Sequence, residues 1–263
     1  MVTVSDIFEY LNSVAPVSTK MDFDNVGFLV GRGSREVTKI LMALDITSNV
    51  VQEAISIGAE LVVSHHPLFF SLKKVSDDDV TGRKILSLAE NNISAICMHT
   101  NLDVARYGVN THLAKTVGIT SPKLLIDEGT NELGERYGLG CFGELEESVR
   151  FENYLQFVKA AINANGLRYQ KSLPYVKKVA VLGGSGGSEL DAAIKAGCDT
   201  YITADVKYDV FLSAAEQGIN LIDGGHFCTE NVVIKPLAEM LSQKFDGVSV
   251  TVSSSHIQVE SFF

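Results

Sequence analysis

Apolar and polar positions along this chain fall into two rhythms, one of helical and one of strand period. Ile7, Phe8, Leu11 and Val14 recur at helical spacing ahead of Pro16, which predicts an amphipathic helix with Ser5 as its N-cap. A turn-rich stretch, Asp22-Phe23-Asp24-Asn25-Val26-Gly27, leads into a short apolar strand, Phe28–Val30. From Lys39 the pattern alternates: strand KILMALD, a helix over Val50–Ile57, strand AELVVS, a helix near Arg83–Asn91, strand ISAICM. Continuous apolar runs punctuated by helices read as βαβ units with parallel strands buried on both faces. A helix over Val109–Val117 closes this part of the chain. Residues 121–175 are richer in Gly and Glu and predict a connecting region, a hairpin plus a helix over Phe151–Ala164. The βαβ rhythm then restarts.

The restart is a repeat. EAISIGAELVVS (Glu53–Ser64) and AAIKAGCDTYIT (Ala192–Thr203) both read helix, glycine, acid, apolar strand. Further on, AENNISAICMHTNLD and AAEQGINLIDGGHFCTE align His99 with His226 and Asp103 with Glu230 after one residue of slippage. An internal duplication explains this order. The expected architecture is an α/β lobe over 1–120, the connecting region 121–175, and a second, pseudo-repeated lobe over 176–263. Their strand ends are expected to meet in a cleft.

Open α/β sheets bind ligands at strand C-termini, and four of the six histidines fall there: His65 and His66 after LVVS, His99 after ISAICM, and His226 after INLID. Adjacent residues in extended backbone point to opposite sides, and Pro67 favours extension at His66. One ion would then not take both His65 and His66, whereas two neighbouring ions could take one each. Asp103 and Glu230 each follow a histidine by four residues, a spacing that shares one side if the chain turns helically. The set His65, His66, Asp103, His226 and Glu230 suits Zn²⁺, Mn²⁺, Fe²⁺, Co²⁺ or Ni²⁺ rather than Ca²⁺ or Mg²⁺. It leaves coordination positions open, as catalytic sites require. His99 reads as a general base or a partner orienting Asp103, ahead of a sixth ligand. Lys207 could bind a substrate anion or pair with Asp205. The loop VLGGSGGSEL matches neither the dinucleotide fingerprint nor the P-loop and reads as a tight strand-to-helix turn.

Composition narrows the partners. With 22 basic and 32 acidic side chains the net charge is −10, which argues against bulk electrostatic binding to nucleic acid or an anionic membrane. No apolar run approaches a membrane span, and the acidic N-terminal stretch lacks a signal-peptide pattern. Four scattered cysteines without a CxxC pair fit reduced thiols in the cytoplasm.

Taken together, DNVGFLVG, SHHPLFF, HTNLDVARYGVNTHLA, VAVLGGSGGS, ITADVKYDVF and INLIDGGHFCTE resemble the Nif-three-like family, often catalogued as GTP cyclohydrolase 1 type 2 homologues. The resemblance runs from about residue 5 to the C-terminus and matches the short form without an inserted middle domain. It implies two intertwined α/β repeats with mixed, mostly parallel sheets. It also implies a dinuclear metal centre, with His65, His66, Asp103, His226 and Glu230 in the ligand positions and two divalent ions per chain. A metal-dependent hydrolase of a nucleotide or other phosphate-containing small molecule follows, with His99 and Lys207 as its catalytic residues. The rival is a metal buffer, chaperone or adaptor without turnover. The resemblance further implies a ring-shaped homohexamer. This chain departs from the family pattern at Ala204 and Asp209, where Gly and His are common, and at Phe23, where Trp is frequent.

Overall fold

The computed structural model describes residues 1–263. In chain order the first elements are α1 (Val4–Val14), β1 (Gly27–Val30), β2 (Lys39–Ala43), α2 (Ser48–Ile57), β3 (Leu61–Ser64), α3 (Val80–Glu90), β4 (Ser94–Cys97) and α4 (Thr100–Val104). Next come α5 (Val109–Thr116), β5 (Lys123–Thr130), β6 (Arg136–Arg150), α6 (Phe151–Ala161), β7 (Arg168–Gln170) and β8 (Tyr175–Ser185). The last are α7 (Leu190–Lys195), β9 (Thr200–Ala204), α8 (Tyr208–Gln217), β10 (Asn220–Asp223), α9 (His226–Glu230), α10 (Ile234–Lys244) and β11 (Ser249–Val252).

The chain divides into two units, but not at residues 120 and 175. One unit is Met1–Leu102 with Ile234–Ile257; the other is Asp103–Val233 with Gln258–Phe263. The expected boundaries fail for two physical reasons. β5 and β6 form the predicted hairpin, yet β6 also pairs with β8, so 121–175 belongs to a sheet rather than to a linker. And α10 and β11 return to the first unit, where β11 pairs in parallel with β2.

In the first unit a five-stranded sheet runs β1-β4-β3-β2-β11, parallel except for the edge strand β1. β3 and β4 are buried at every residue, which explains their unbroken apolar runs. Leu41, Val62, Val50, Ala54 and Leu88 form part of its core. In the second unit a six-stranded sheet runs β5-β6-β8-β9-β10-β7. Only its centre, β8-β9-β10, is parallel, so this sheet is more antiparallel than expected. α5 and α6 supply Leu113, Phe151, Tyr154 and Val158 to its core.

Helix starts were less legible than helix faces. The N-cap of α1 is Thr3, not Ser5: the Thr3 hydroxyl accepts from Asp6 N, and the Asp6 carboxylate accepts from Thr3 N at 2.8 Å, closing a capping box.

The duplication is visible in the bonding. The Glu60 carboxylate accepts from the backbone N–H groups of Thr38 and Lys39, where β2 begins. Its counterpart Asp199 accepts from Lys177 and Lys178 of β8. Lys39 Nζ donates to the Ile57 carbonyl and Lys178 Nζ to that of Ala196, the aligned residue. Gly58 and Gly197, which end the preceding helical turns, both adopt left-handed backbone, with φ of 66° and 73°.

Candidate metal centre

In the first unit the parallel strands deliver three histidines to one sheet edge. The backbone N–H groups of His65 and His66 donate to the carbonyls of Ala43 and Leu44 at 3.3 and 2.8 Å, so β2 fixes the chain just beyond β3. The strand itself stops at Ser64 and the backbone bends through His65 and His66. The expected opposite orientation of the two side chains therefore does not occur. Their ring centroids are 5.0 Å apart, and His99 lies 5.2 Å from His65 and 5.5 Å from His66. One donor nitrogen of each of the three falls within 4.8 Å of the others.

Each ring is held through Nδ1. His65 Nδ1 donates to the Met98 carbonyl at 2.8 Å, His66 Nδ1 to Asp45 at 2.7 Å, and His99 Nδ1 to Asp24 at 2.9 Å. A carbonyl or carboxylate oxygen can only accept, so the proton sits on Nδ1 and the lone pair of each neutral ring on Nε2. Asp24 is fully buried and also accepts from the Thr100 N–H at 3.0 Å and from the Thr100 hydroxyl. Burial alone would raise its carboxyl. The hydrogen bonds from His99 and Thr100 instead hold it well below the usual carboxylate range.

In the second unit α9 starts with His226 and ends with Glu230, so the four-residue spacing does place both on one helical face. His226 Nδ1 bonds to Asp205 at 2.7 Å and Nε2 to Glu230 at 3.1 Å. Glu230 is buried, with a side-chain exposure of 4%. Its hydrogen bond and charge, assisted by Asp205, outweigh burial and push the His226 imidazole up to about 9. Room for the Glu230 carboxylate comes from β8: a Cβ on Gly184 would stand 2.1 Å from Glu230 Oε1, and Gly184 has φ +66°. One Asp103 oxygen lies within 4.8 Å of a Glu230 oxygen. Asn110 on α5 donates to the Asp103 carbonyl and accepts from Gly183 N, tying the Asp103 backbone to the end of β8.

The glycine-rich loop is therefore a tight turn, as expected. Its Gly183, Gly184 and Gly186 amides are satisfied by Asn110, Thr229 and Thr203. Lys207 is exposed at the N-cap of α8, and Asp205, its expected alternative partner, bonds to His226. Sequence reasoning missed Asp24 and Asp45 altogether. Asp45 could have been found, because it ends KILMALD at a strand C-terminus as the histidines do.

A family model described as Duf34/NIF3 (NGG1p interacting factor 3) matches residues 2–260. The chain belongs to the Duf34/NIF3 family. A Clostridium perfringens relative named GTP cyclohydrolase 1 type 2 homolog is 35% identical over 246 residues and covers 93% of each chain, so it has the same short form. The crystal structure of a Staphylococcus aureus hypothetical protein, 29% identical, superposes with a TM-score of 0.91 and covers 99% of both chains. A Bacillus cereus protein related to NIF3, 25% identical, also reaches a TM-score of 0.91, over 100% of this chain and 99% of that one.

The residues of this Duf34/NIF3 chain fit divalent ions on their own chemistry. Three imidazoles of the first unit present Nε2 lone pairs from rings locked at Nδ1, the arrangement that metal-binding histidines adopt. In the second unit a buried carboxylate sits in a glycine cradle beside a histidine that carries an extra proton, a positive charge that a cation can replace. Among the helices, none is long and apolar enough to cross a membrane.

Proposed function

We propose that this protein holds two divalent ions through His65, His66, Asp103, His226 and Glu230 and uses them to hydrolyse a nucleotide or another phosphate-containing small molecule. The observation that carries the reading is the anchoring of all three proposed histidine ligands, His65, His66 and His226, through Nδ1 to oxygen acceptors. Metal-ligating histidines almost always donate their other ring N–H in this way. The relatives' name supports a nucleotide as the substrate class.

When bound, a divalent pair lowers the pKa of attached water and offsets negative charge developing on the substrate. This chain's own residues do the rest. Asp45 and the Met98 carbonyl set the ring orientations of His66 and His65. His99, backed by the ionised Asp24, holds or passes a proton at Nε2. Lys207 is placed in the role of a cation for the substrate phosphate.

Elemental analysis of the purified chain tests the first claim, with about two divalent ions per chain expected and their loss in His66→Ala and Glu230→Ala. The second claim is tested by following phosphate release from nucleotides and phosphoesters, with His99→Ala expected to keep the metal and lose turnover. A wild type that rejects added Zn²⁺, Mn²⁺ and Fe²⁺ would remove the metal reading. A metal-loaded wild type inert toward that whole panel would leave a metal-binding protein without turnover. We also propose that the chain assembles as a homohexamer, which its solution mass tests.

A further inference from the structure

The opposite end of the first unit's sheet carries a cavity that the metal reading does not use. It has a volume of about 770 Å³ and is lined by Arg32, Arg35, Ser34, Ser94, Asn92 and Ile93, among others. That volume lies within the range of small-molecule sites. We infer that this cavity is a second ligand site, which takes a small metabolite bearing an oxyanion head, a phosphate or a carboxylate.

The donors converge there. Arg32 and Arg35 bring two guanidinium groups from the loop between β1 and β2, the side chain best matched to oxyanions. Ser94, the first residue of β4, is 1% exposed, and its buried hydroxyl makes no hydrogen bond within the chain. Gly31 packs directly against it: a Cβ there would stand 2.3 Å from Ser94 Oγ, so only glycine fits over this hydroxyl. The buried Arg35 Nε likewise has no partner within the chain. Such groups cost free energy unless a ligand or water satisfies them.

The loop is already set for binding. Arg35 N donates to the Arg32 carbonyl, closing a turn, and the Val4 and Ser5 N–H groups of α1 donate to the carbonyls of Arg35 and Gly33 at 2.9 Å each. Two carboxylates also line the cavity, Glu36 and Glu60. The Glu60 carboxylate is held by the backbone N–H groups of Thr38 and Lys39, so the anion head is met by the arginines and the Ser94 hydroxyl rather than by a free carboxylate there. Ile93 and Ala89 give an apolar wall for the body of the ligand.

The position adds a consequence. Thr38, Glu60 and Ser94 line the cavity at or just before the starts of β2, β3 and β4, and the same strands end at Asp45, His65 and His99. Four or five residues of strand separate the ends, about 13–16 Å, too far for one small molecule to serve as a common substrate pocket. This second site does not depend on the metal reading.

Binding of pyrophosphate and of citrate to metal-stripped protein, measured by calorimetry, tests it. We expect saturable binding of at least one probe by the wild type, unchanged in His66→Ala and Glu230→Ala. The Arg32→Ala/Arg35→Ala double variant should bind at least tenfold more weakly. Ser94→Ala removes an unsatisfied buried hydroxyl, so it should keep or raise Tm while weakening binding, which separates ligand recognition from folding. Arg32→Lys serves if the double variant does not fold. Binding of pyrophosphate alone assigns a phosphate head, and of citrate alone a carboxylate head. No saturable binding, or binding lost in the His66 and Glu230 variants but kept in the Arg32, Arg35 and Ser94 variants, would overturn the assignment.

Discussion

Single residues carry three predictions. Asp45 holds the His66 ring at 2.7 Å, and removing such a partner weakens metal binding about 10–100-fold. Asp45→Asn should show that loss in a competition titration against a chromophoric chelator, with the fold intact; equal affinity would mean that the His66 orientation is set elsewhere. Gly184→Ala forces a Cβ to 2.1 Å from Glu230 Oε1 at φ +66°. The left-handed backbone alone costs about 1–2 kcal/mol, so Tm and bound metal should fall together. His226 gives the pH dependence. Its folded-state value of about 9 exceeds the ordinary 6.5, so in metal-free protein its stabilisation is fully present below about 6.5 and is lost as pH rises through 9. A metal ligand must be unprotonated. Metal binding between these values should release a proton from His226, and affinity should climb with pH and level off above 9. Calorimetry in two buffers of different ionisation heat reads the proton, and His226→Gln should abolish its release. The proposed ligands were legible because each ends a predicted strand or follows such a histidine by four. Asp24 was not, since its role rests on a contact with His99 that lies 75 positions away, which no local pattern encodes.

At the scale of elements, the sequence revealed periods better than ends. The strands of the first unit matched their apolar runs because parallel strands buried on both faces leave no polar alternation to confuse. The cap of α1 lies two residues before the expected one because Thr3 and Asp6 satisfy each other's backbone, a reciprocal bond stronger than the single Ser5 signal. The His65-His66 expectation failed at a strand end: alternation holds only while the backbone stays extended, and it bends after Ser64 although both N–H groups still bond beside β2. A further element-scale device is the clamp on the chain after β11. Glu53 of α2 accepts from the Ser253 and Ser254 hydroxyls and from the Ser254 and Ser255 N–H groups. Burial would raise this carboxyl, but those bonds bring it down to about 2 from the ordinary 4.5. Its contribution is therefore present above about 4.5 and lost as pH falls through 2. Glu53→Gln should be less stable at neutral pH by about 1–2 kcal/mol and flatter between pH 5 and 3. Chemical denaturation across that range checks both.

For the whole molecule, the decisive fact is that neither unit is a continuous piece of chain. The repeat was readable, since helix, glycine, acid and strand recur in order, and the matched roles of Glu60 and Asp199 bear it out. What the repeat concealed was the return of Ile234–Ile257 to the first unit, because α10 and β11 follow the second copy in sequence and look like its natural end. Their contribution is large. α10 packs on β11 and β2, and Ile234, Leu237 and Leu241 are 2%, 3% and 0% exposed. Burying each such side chain is worth about 1.5–3 kcal/mol, so the three together rival the roughly 5–15 kcal/mol by which a domain is stable. Removing them also strips β11 from β2 and leaves an apolar edge strand open to pairing with other chains. A fragment of residues 1–120 should therefore fail to fold cooperatively and should aggregate. The same 1–102 segment joined through a flexible linker to 234–257 should recover a sigmoidal urea transition. A fragment 1–120 that folds by itself would show that α10 and β11 only cover a core that the first lobe already completes.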